Sequence, residues 1–241
     1  MNTLAQITDL HLDDFLAQHY QVDTRKNFLT VLDDVRRRGI TDVVLTGDLG
    51  LPTSLDWLLK TIHDRGLTAR YLWGNHDEAV DFAPRSEFKT LITDGLLFHK
   101  EILGTDLLLY LDSSHGPVNG VQGLWLDEQL ALPEIERIFV FIHHPVLDCG
   151  GTTMDRLYPA AGRDALAERL ASTKKPVQIY CGHYHTDHRQ TWKNLTQSVT
   201  PAVVVQIKQH SPEIALEDKS FGYRIIRIAH DTVETDVVRF S

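Results

Sequence analysis

Apolar positions in this 241-residue chain come in two textures. Short apolar, often β-branched or aromatic runs alternate with stretches in which apolar residues return every three or four positions. Residues 3–8, 42–46, 69–73, 137–142 and 177–181 are such runs and predict buried strands. Phe28, Leu29, Val31, Leu32 and Val35 fall on one side of a helix that is entered through Asp23 to Asn27 and ends at Gly39. Leu55, Leu58, Leu59 and Ile62 do the same for a helix from about Ser54 to His63 that stops at Gly66. The first 77 residues therefore read β-α-β-α-β, which predicts a largely parallel sheet.

The middle changes character. Residues 96–103 and 105–111 read as neighbouring strands joined at Gly104, residues 113–123 as a polar loop, and Trp125 to Leu132 as a short helix. A long loop over 145–161 precedes a helix over 164–171. The last 50 residues have hairpin texture: 201–209, 222–229, and 232–240 around the His230-Asp231 turn. No repeat, low-complexity tract or linker interrupts the pattern. The expected architecture is a single domain, 1–241, of the α/β class: a two-sheet β-sandwich flanked by helices in four α/β/β/α layers.

Five of the predicted strands end in polar clusters: Asp9-Leu10-His11, Gly47-Asp48, Gly74-Asn75-His76-Asp77, His143-His144-Pro145 and Gly182-His183-Tyr184-His185. The glycines allow a sharp turn that presents the next side chain at the strand's carboxyl end, where ligands collect in open α/β sheets. Carboxylate, amide and imidazole donors without thiolate suit Mn, Fe or Zn. His183 and His185, one residue apart, project to the same side of an extended segment and can reach different ions. A pair of ions can clamp both oxygens of a displacement at phosphorus and generate hydroxide from water near neutral pH. The expected site holds two metal ions.

Composition narrows the partners. Hydrophobic residues at 42% and charged residues at 24% are ordinary for a soluble globular protein. The net charge is −9, and the one basic cluster, Arg36-Arg37-Arg38, caps a predicted helix, so long nucleic acid is not an expected partner. Two cysteines, Cys149 and Cys181, make no disulfide framework and fit a reducing cytoplasm, with packing and loop roles expected for them. The chain enters its first strand at once, with no secretory signal, and no apolar run approaches the roughly 20 residues of a membrane span.

Taken in order, the five clusters resemble the calcineurin-like metallophosphoesterases, in particular the class III cyclic-nucleotide phosphodiesterases. The resemblance covers about residues 3–210. It implies one ion on Asp9, His11, Asp48 and His185, and a second on Asp48, Asn75, His143 and His183, with Asp48 bridging. It also implies that His76 touches a phosphate oxygen or the leaving group as the catalytic residue. The substrate-binding candidates are Asn75, His76, His144, for which structural hydrogen bonding is the alternative, and His115 in the Ser113-Ser114-His115-Gly116 loop. Asp77 is expected to orient a histidine, and His210 lies in a stretch that also looks like the cyclic-nucleotide group. His19, His63, His99, His188 and His230 carry no supporting context and read as surface or packing residues.

One departure affects the rim: many relatives carry an acidic or polar residue soon after Gly-Asp, whereas this chain reads Gly47-Asp48-Leu49-Gly50-Leu51-Pro52. The expected activity is hydrolysis of phosphodiesters, including 3′,5′-cAMP, by metal-activated hydroxide, in a monomer or homodimer with no membrane partner. The alternatives are a phosphomonoesterase, a nucleotide pyrophosphohydrolase, or a non-catalytic scaffold. Pyrophosphohydrolase relatives carry Arg where this chain has His76, and scaffold relatives lose ligands that this chain keeps.

Overall fold

A computed structural model describes residues 2–89 and 91–241. Two sheets face each other. The first has the strand order Val233–Phe240, Phe221–Ile228, Asn2–Ile7, Asp42–Thr46, Thr68–Leu72. Its last three strands are parallel, as the β-α-β-α-β reading predicts, and the C-terminal hairpin adds antiparallel to Asn2–Ile7. The second sheet has the order His188–Trp192, Leu195–Val199, Val177–Cys181, Arg137–Ile142, Asp106–Leu111, His99–Leu103. Its four central strands are parallel and both edge strands are antiparallel.

Three apolar cores account for the four layers. Phe28, Val31, Leu32, Leu58 and Ile62, from the helices Thr24–Arg37 and Leu55–Asp64, pack on the outer face of the first sheet. Leu126, Leu130, Leu166 and Leu170, from the helices Gly120–Leu130 and Arg163–Ala171, cover the second sheet. Between the sheets lie Leu4, Val44, Leu72, Leu108, Phe139 and Ile226. His99, Tyr110, Phe141 and Tyr180 are cross-strand partners on four successive strands, and their rings stack in a row with centroids 4.3, 5.3 and 5.5 Å apart.

One polar bridge fixes the sheets at the end that carries the candidate residues. Gln6 Nε2 donates to Thr46 Oγ1 and to the Cys181 carbonyl, and Gln6 Oε1 accepts from Thr200 Oγ1. The bridge thereby ties Asn2–Ile7 in one sheet to Val177–Cys181 in the other. The cysteines have the expected roles: both are buried, with Sγ against the carbonyls of Leu147 (Cys149) and Ser198 (Cys181).

Several elements differ from the sequence reading. The helix expected at Trp125 begins at Gly120, because Gln122 turns inward and its amide closes on both backbone groups of Asp112. A buried polar residue hides helical periodicity. The strand expected over 201–209 shrinks to Gln206–Ile207: Val203 and Val204 donate to Thr8 and Asp9 instead, so this apolar run is buried as a strap over the first strand's end. The pairing of His188–Trp192 with Leu195–Val199 was not foreseen, nor was the short helix Thr153–Leu157 inside the long loop.

The ring row generates a pH prediction. Burial pushes His99 down to about 4, with Glu101 offsetting in part and Arg70 adding to the fall. The folded state therefore favours neutral His99; this stability is present above the unfolded value near 6.5 and is lost as pH falls from 6.5 toward 4. His99→Phe should remove about 2 kcal/mol of the stability difference between pH 7 and pH 5, read by urea unfolding at both. An unchanged difference would mean that His99 does not carry it.

Candidate metal centre

The turns after five strands converge. The segment following Asn2–Ile7 runs beside the segment following Asp42–Thr46, with Asp9 N–H donating to Gly47 O, His11 N–H to Asp48 O and Leu51 N–H to Leu12 O. Gly50 lies against the Leu12 backbone at φ +126°, leaving no room for a Cβ. Close pairing of the two turns thus accounts for the glycine at position 50. From the other sheet, Gly182 N–H donates to His143 O and His183 N–H to the Asp9 carboxylate.

The backbone here is strained. Asp9, His11, Asp48, His183 and His185 all have φ between +46° and +66°. Left-handed backbone at non-glycine residues costs on the order of 1 kcal/mol or more each and collects at functional sites. Glycine is required beside both carboxylates: a Cβ on Gly74 would overlap Asp48, and one on Gly182 would overlap Thr8 and Asp9.

Each imidazole is oriented through one nitrogen. His143 Nδ1 bonds the Thr46 carbonyl at 2.8 Å and His185 Nδ1 the Val205 carbonyl at 3.0 Å. His11 Nδ1 bonds Asp14 Oδ2 at 2.6 Å. In all three, Nε2 is left to face the carboxylates: Asp48 Oδ2 lies 3.5 Å from His11 Nε2 and 3.4 Å from His143 Nε2, and Asp9 Oδ1 lies 3.3 Å from His185 Nε2. His183 is turned the other way, with Nε2 on the Tyr158 carbonyl at 3.1 Å and Nδ1 free. Asn75 Oδ1 lies 3.2 Å from His143 Nε2.

The electrostatics follow from burial. Asp9 and Asp48 are buried, which by itself raises a carboxyl's pKa, yet both are held well below the usual range, Asp9 by His185 and His143, Asp48 by His143 and His11. In return, burial of His11 and His143 is outweighed: Asp14 and Asp48 raise His11 to about 9, and Asp48 and Asp9 raise His143 to about 10. Burial and the neighbouring His143 instead drive His183 down to about 3. Two buried anions thus draw positive charge toward themselves.

The residues fit a pair of metal ions. Donor atoms of Asp9, His11 and His185 lie within 4.8 Å of one another, as do those of Asp9, Asp48 and His143, and those of His143, His144 and His183. His11 Nε2 is buried without a hydrogen-bond partner. Asp48 Oδ2, between two imidazole nitrogens, has the placement a bridging carboxylate needs, and no thiol competes.

A cavity of about 390 Å³ opens onto the cluster, lined by His11, Asp48, Asn75, His76, His183 and His185 together with Leu16, Met154, Tyr158, Ile207 and Ile214. Asp9 and His143 lie behind it, fully buried. His76 is exposed in the cavity, 5.3 Å from His11 between ring centroids, and its N–H donates to Asp48 Oδ1. His144 belongs to the buried cluster without lining the cavity, with Nδ1 on Ser113 Oγ and its ring 4.2 Å from His183. Two other candidates lie elsewhere: His115 faces Glu78 at 3.3 Å, and His210 is exposed in a separate groove beside Gln206 and Arg239. Asp77 does not orient a histidine: its carboxylate accepts from the backbone N–H groups of Leu49 and Gly74, locking two of the turns together. Burial and the nearby Asp48 charge push it up to about 7.

Asp14, Met154, Tyr158 and Ile214 were not found from sequence. Only Asp14 carried a signal, as an Asp three residues after a candidate ligand and at a helix N-cap, where it accepts from Leu16 and Ala17.

No protein-family model matches the chain. A probable cyclic nucleotide phosphodiesterase of Fibrobacter succinogenes is 29% identical over 239 residues, covering 97% of this chain and 92% of the relative. The 3′,5′-cyclic adenosine monophosphate phosphodiesterase CpdA of Escherichia coli K12 is 28% identical over 256 residues, covering 99% and 90%. Among solved structures, a dimetal phosphatase from Danio rerio superposes with a TM-score of 0.75 at 15% identity, over 99% of this chain and 98% of that one.

Asp14→Asn keeps an oxygen for the helix cap and removes the charge facing His11. It should weaken Mn²⁺ binding about 10- to 100-fold, the usual cost of losing such an orienting partner, measured by calorimetric titration. Wild-type affinity in this variant would show that His11 needs no such partner.

Proposed function

We propose that this calcineurin-like phosphoester hydrolase is a dinuclear phosphodiesterase whose accepted diesters include 3′,5′-cyclic nucleotides such as cAMP. Asp9, His11, Asp48 and His185 would hold one ion, and Asp48, Asn75, His143 and His183 the other, from among Mn, Fe and Zn. The full-length similarity to curated cyclic-nucleotide phosphodiesterases supports the substrate class. The observation that carries the choice of diester is the cavity: among its described lining residues there is no lysine or arginine. A diester brings one negative charge to the centre and a monoester nearly two, and no lysine or arginine among the described lining residues is there for the second.

The two ions, when bound, supply Lewis acidity that activates water and takes up charge on a non-bridging phosphate oxygen. The chain's residues do the rest. Asp48 and Asp9 provide the buried negative charge that retains the ions, and the carbonyls of Thr46, Val205 and Tyr158 fix the imidazole orientations. Asn75 and His76 present the phosphate side of the cavity, and His76 gives a proton to the departing ester oxygen. Residues 1–241 act as one domain, in the cytoplasm, as a monomer or homodimer without a membrane partner; no helix among the described residues is long and apolar enough to cross a membrane.

The test is kcat/KM with Mn²⁺ for cAMP, bis-p-nitrophenyl phosphate and p-nitrophenyl phosphate. Both diesters should exceed the monoester; preference for the monoester would leave a phosphomonoesterase, and no turnover at all with metal bound would favour a scaffold. His76→Ala should retain both ions while losing roughly 10²- to 10⁴-fold in kcat. Asp48→Ala should lose metal, activity and the thermal stabilisation that bound ions confer; two equivalents of metal still bound in Asp48→Ala would refute the bridging assignment.

A further inference from the structure

Part of the cavity wall has no role in the proposed chemistry. Leu16, Met154, Tyr158, Ile207 and Ile214 make it apolar, and Tyr158 is 54% exposed, unusual for a large side chain beside a buried cluster. The cavity's volume lies within the range of about 300–1,000 Å³ typical of small-molecule pockets.

The wall is built rather than incidental. Met154 lies in the first turn of the short helix Thr153–Leu157 and Tyr158 is its C-cap, whose N–H donates to the Met154 carbonyl, and both side chains line the cavity. The helix is pinned at its start by a capping box between Thr152 and Asp155. Asp155 is a hub: it accepts from the N–H groups of Cys149 and Thr152, from Arg163 Nη1 and from Tyr184 Oη. Through Tyr184 the helix is tied to the turn that carries His183 and His185. Thr153 N–H donates to Gln209 O and Thr153 Oγ1 to Ser211 O, which bonds the helix to the segment leading to Ile214. At the far end, the Tyr158 carbonyl holds His183 Nε2. The same residue thus orients a candidate ligand through its backbone and offers a ring to the cavity through its side chain.

From this geometry we propose that Tyr158, backed by Met154 and Ile214, is the platform on which the flat organic group of the substrate stacks: a nucleobase or an aryl ring attached to the phosphodiester. The proposal deepens the phosphodiesterase reading and rests on it. The wall offers π-surface and hydrocarbon with no charged side chain, so it selects for an uncharged ring. It tolerates different rings because every base has a π-face. Hydrogen-bond readout of one base is not part of it; the platform sets the class of substrate.

The experiment compares wild type with Tyr158→Ala and Tyr158→Phe, both of which keep the backbone carbonyl that holds His183. Steady-state kcat and KM are measured with Mn²⁺ for cAMP, bis-p-nitrophenyl phosphate and the ringless diester glycerophosphoethanolamine. Adenosine, a ring without phosphate, is used as a competitive inhibitor. Tyr158→Ala should lose about tenfold in kcat/KM on the two ring-bearing diesters relative to the ringless one, mainly through KM, as expected for one lost stacking partner. Adenosine inhibition should weaken by a similar factor, and Tyr158→Phe should restore both. An equal loss on all three diesters, or adenosine inhibition indifferent to Tyr158, overturns the platform. The phosphodiesterase reading fails separately, if wild type prefers the monoester; adenosine competition that depends on Tyr158 would then still support the ring site.

Discussion

Everything at the functional end of this molecule answers to the burial of two carboxylates, Asp9 and Asp48. A bare anion taken out of water costs several kcal/mol, and the protein offers each of these more than one source of compensation. Backbone N–H groups of His183 and His76 donate to them, and imidazoles crowd their remaining oxygens. To bring those donors close, the chain accepts left-handed backbone at five non-glycine positions and excludes a Cβ at Gly74 and Gly182. Strain of this kind persists only where the surrounding structure over-determines it. Here the Gln6 bridge, the paired turns and the Asp77 clamp supply that determination.

The two sheets divide the work. The first contributes the anions, Asp9 and Asp48, with His11 and the Asn75-His76 pair; the second contributes His143, His183 and His185. Neither half carries the whole cluster, so it assembles only when the sheets pack. The apolar interface of Leu4, Val44, Phe139 and Ile226 and the stacked row from His99 to Tyr180 therefore serve the site as well as the fold. Backbone carbonyls aim three of the imidazoles, which makes ring orientation a property of the main chain: changing a side chain at Thr46, Val205 or Tyr158 leaves the aiming carbonyl in place.

The cavity is chemically two-sided. Carboxylate, amide and imidazole groups make up one part of its lining, and hydrocarbon with one exposed phenol the rest. The second wall comes from segments that carry none of the five clusters, and it is held to the first through Asp155 and Tyr184. A loop of this length would ordinarily be mobile; five donors converging on one buried carboxylate make it part of the site.

Much of the centre could be read from the chain alone. Apolar runs ending in Asp9-Leu10-His11, Gly47-Asp48, Gly74-Asn75-His76, His143 and Gly182-His183-Tyr184-His185 bring these side chains to one end of the sheets, because a strand's carboxyl end is a local consequence of where its apolar run stops. The two parallel crossovers and the amphipathic helices were legible for the same reason: side-chain period is a local property. What only the tertiary structure decided was non-local. The Val205 carbonyl behind His185, the switch of Asp77 from histidine to backbone, and the apolar wall of Met154, Tyr158 and Ile214 depend on segments 20 or more residues apart coming together. The helix at Gly120 and the strap over 202–205 were missed for a related reason. A buried glutamine reads as polar, and a buried run without a partner strand reads as a strand, until the packing shows which backbone groups each one satisfies.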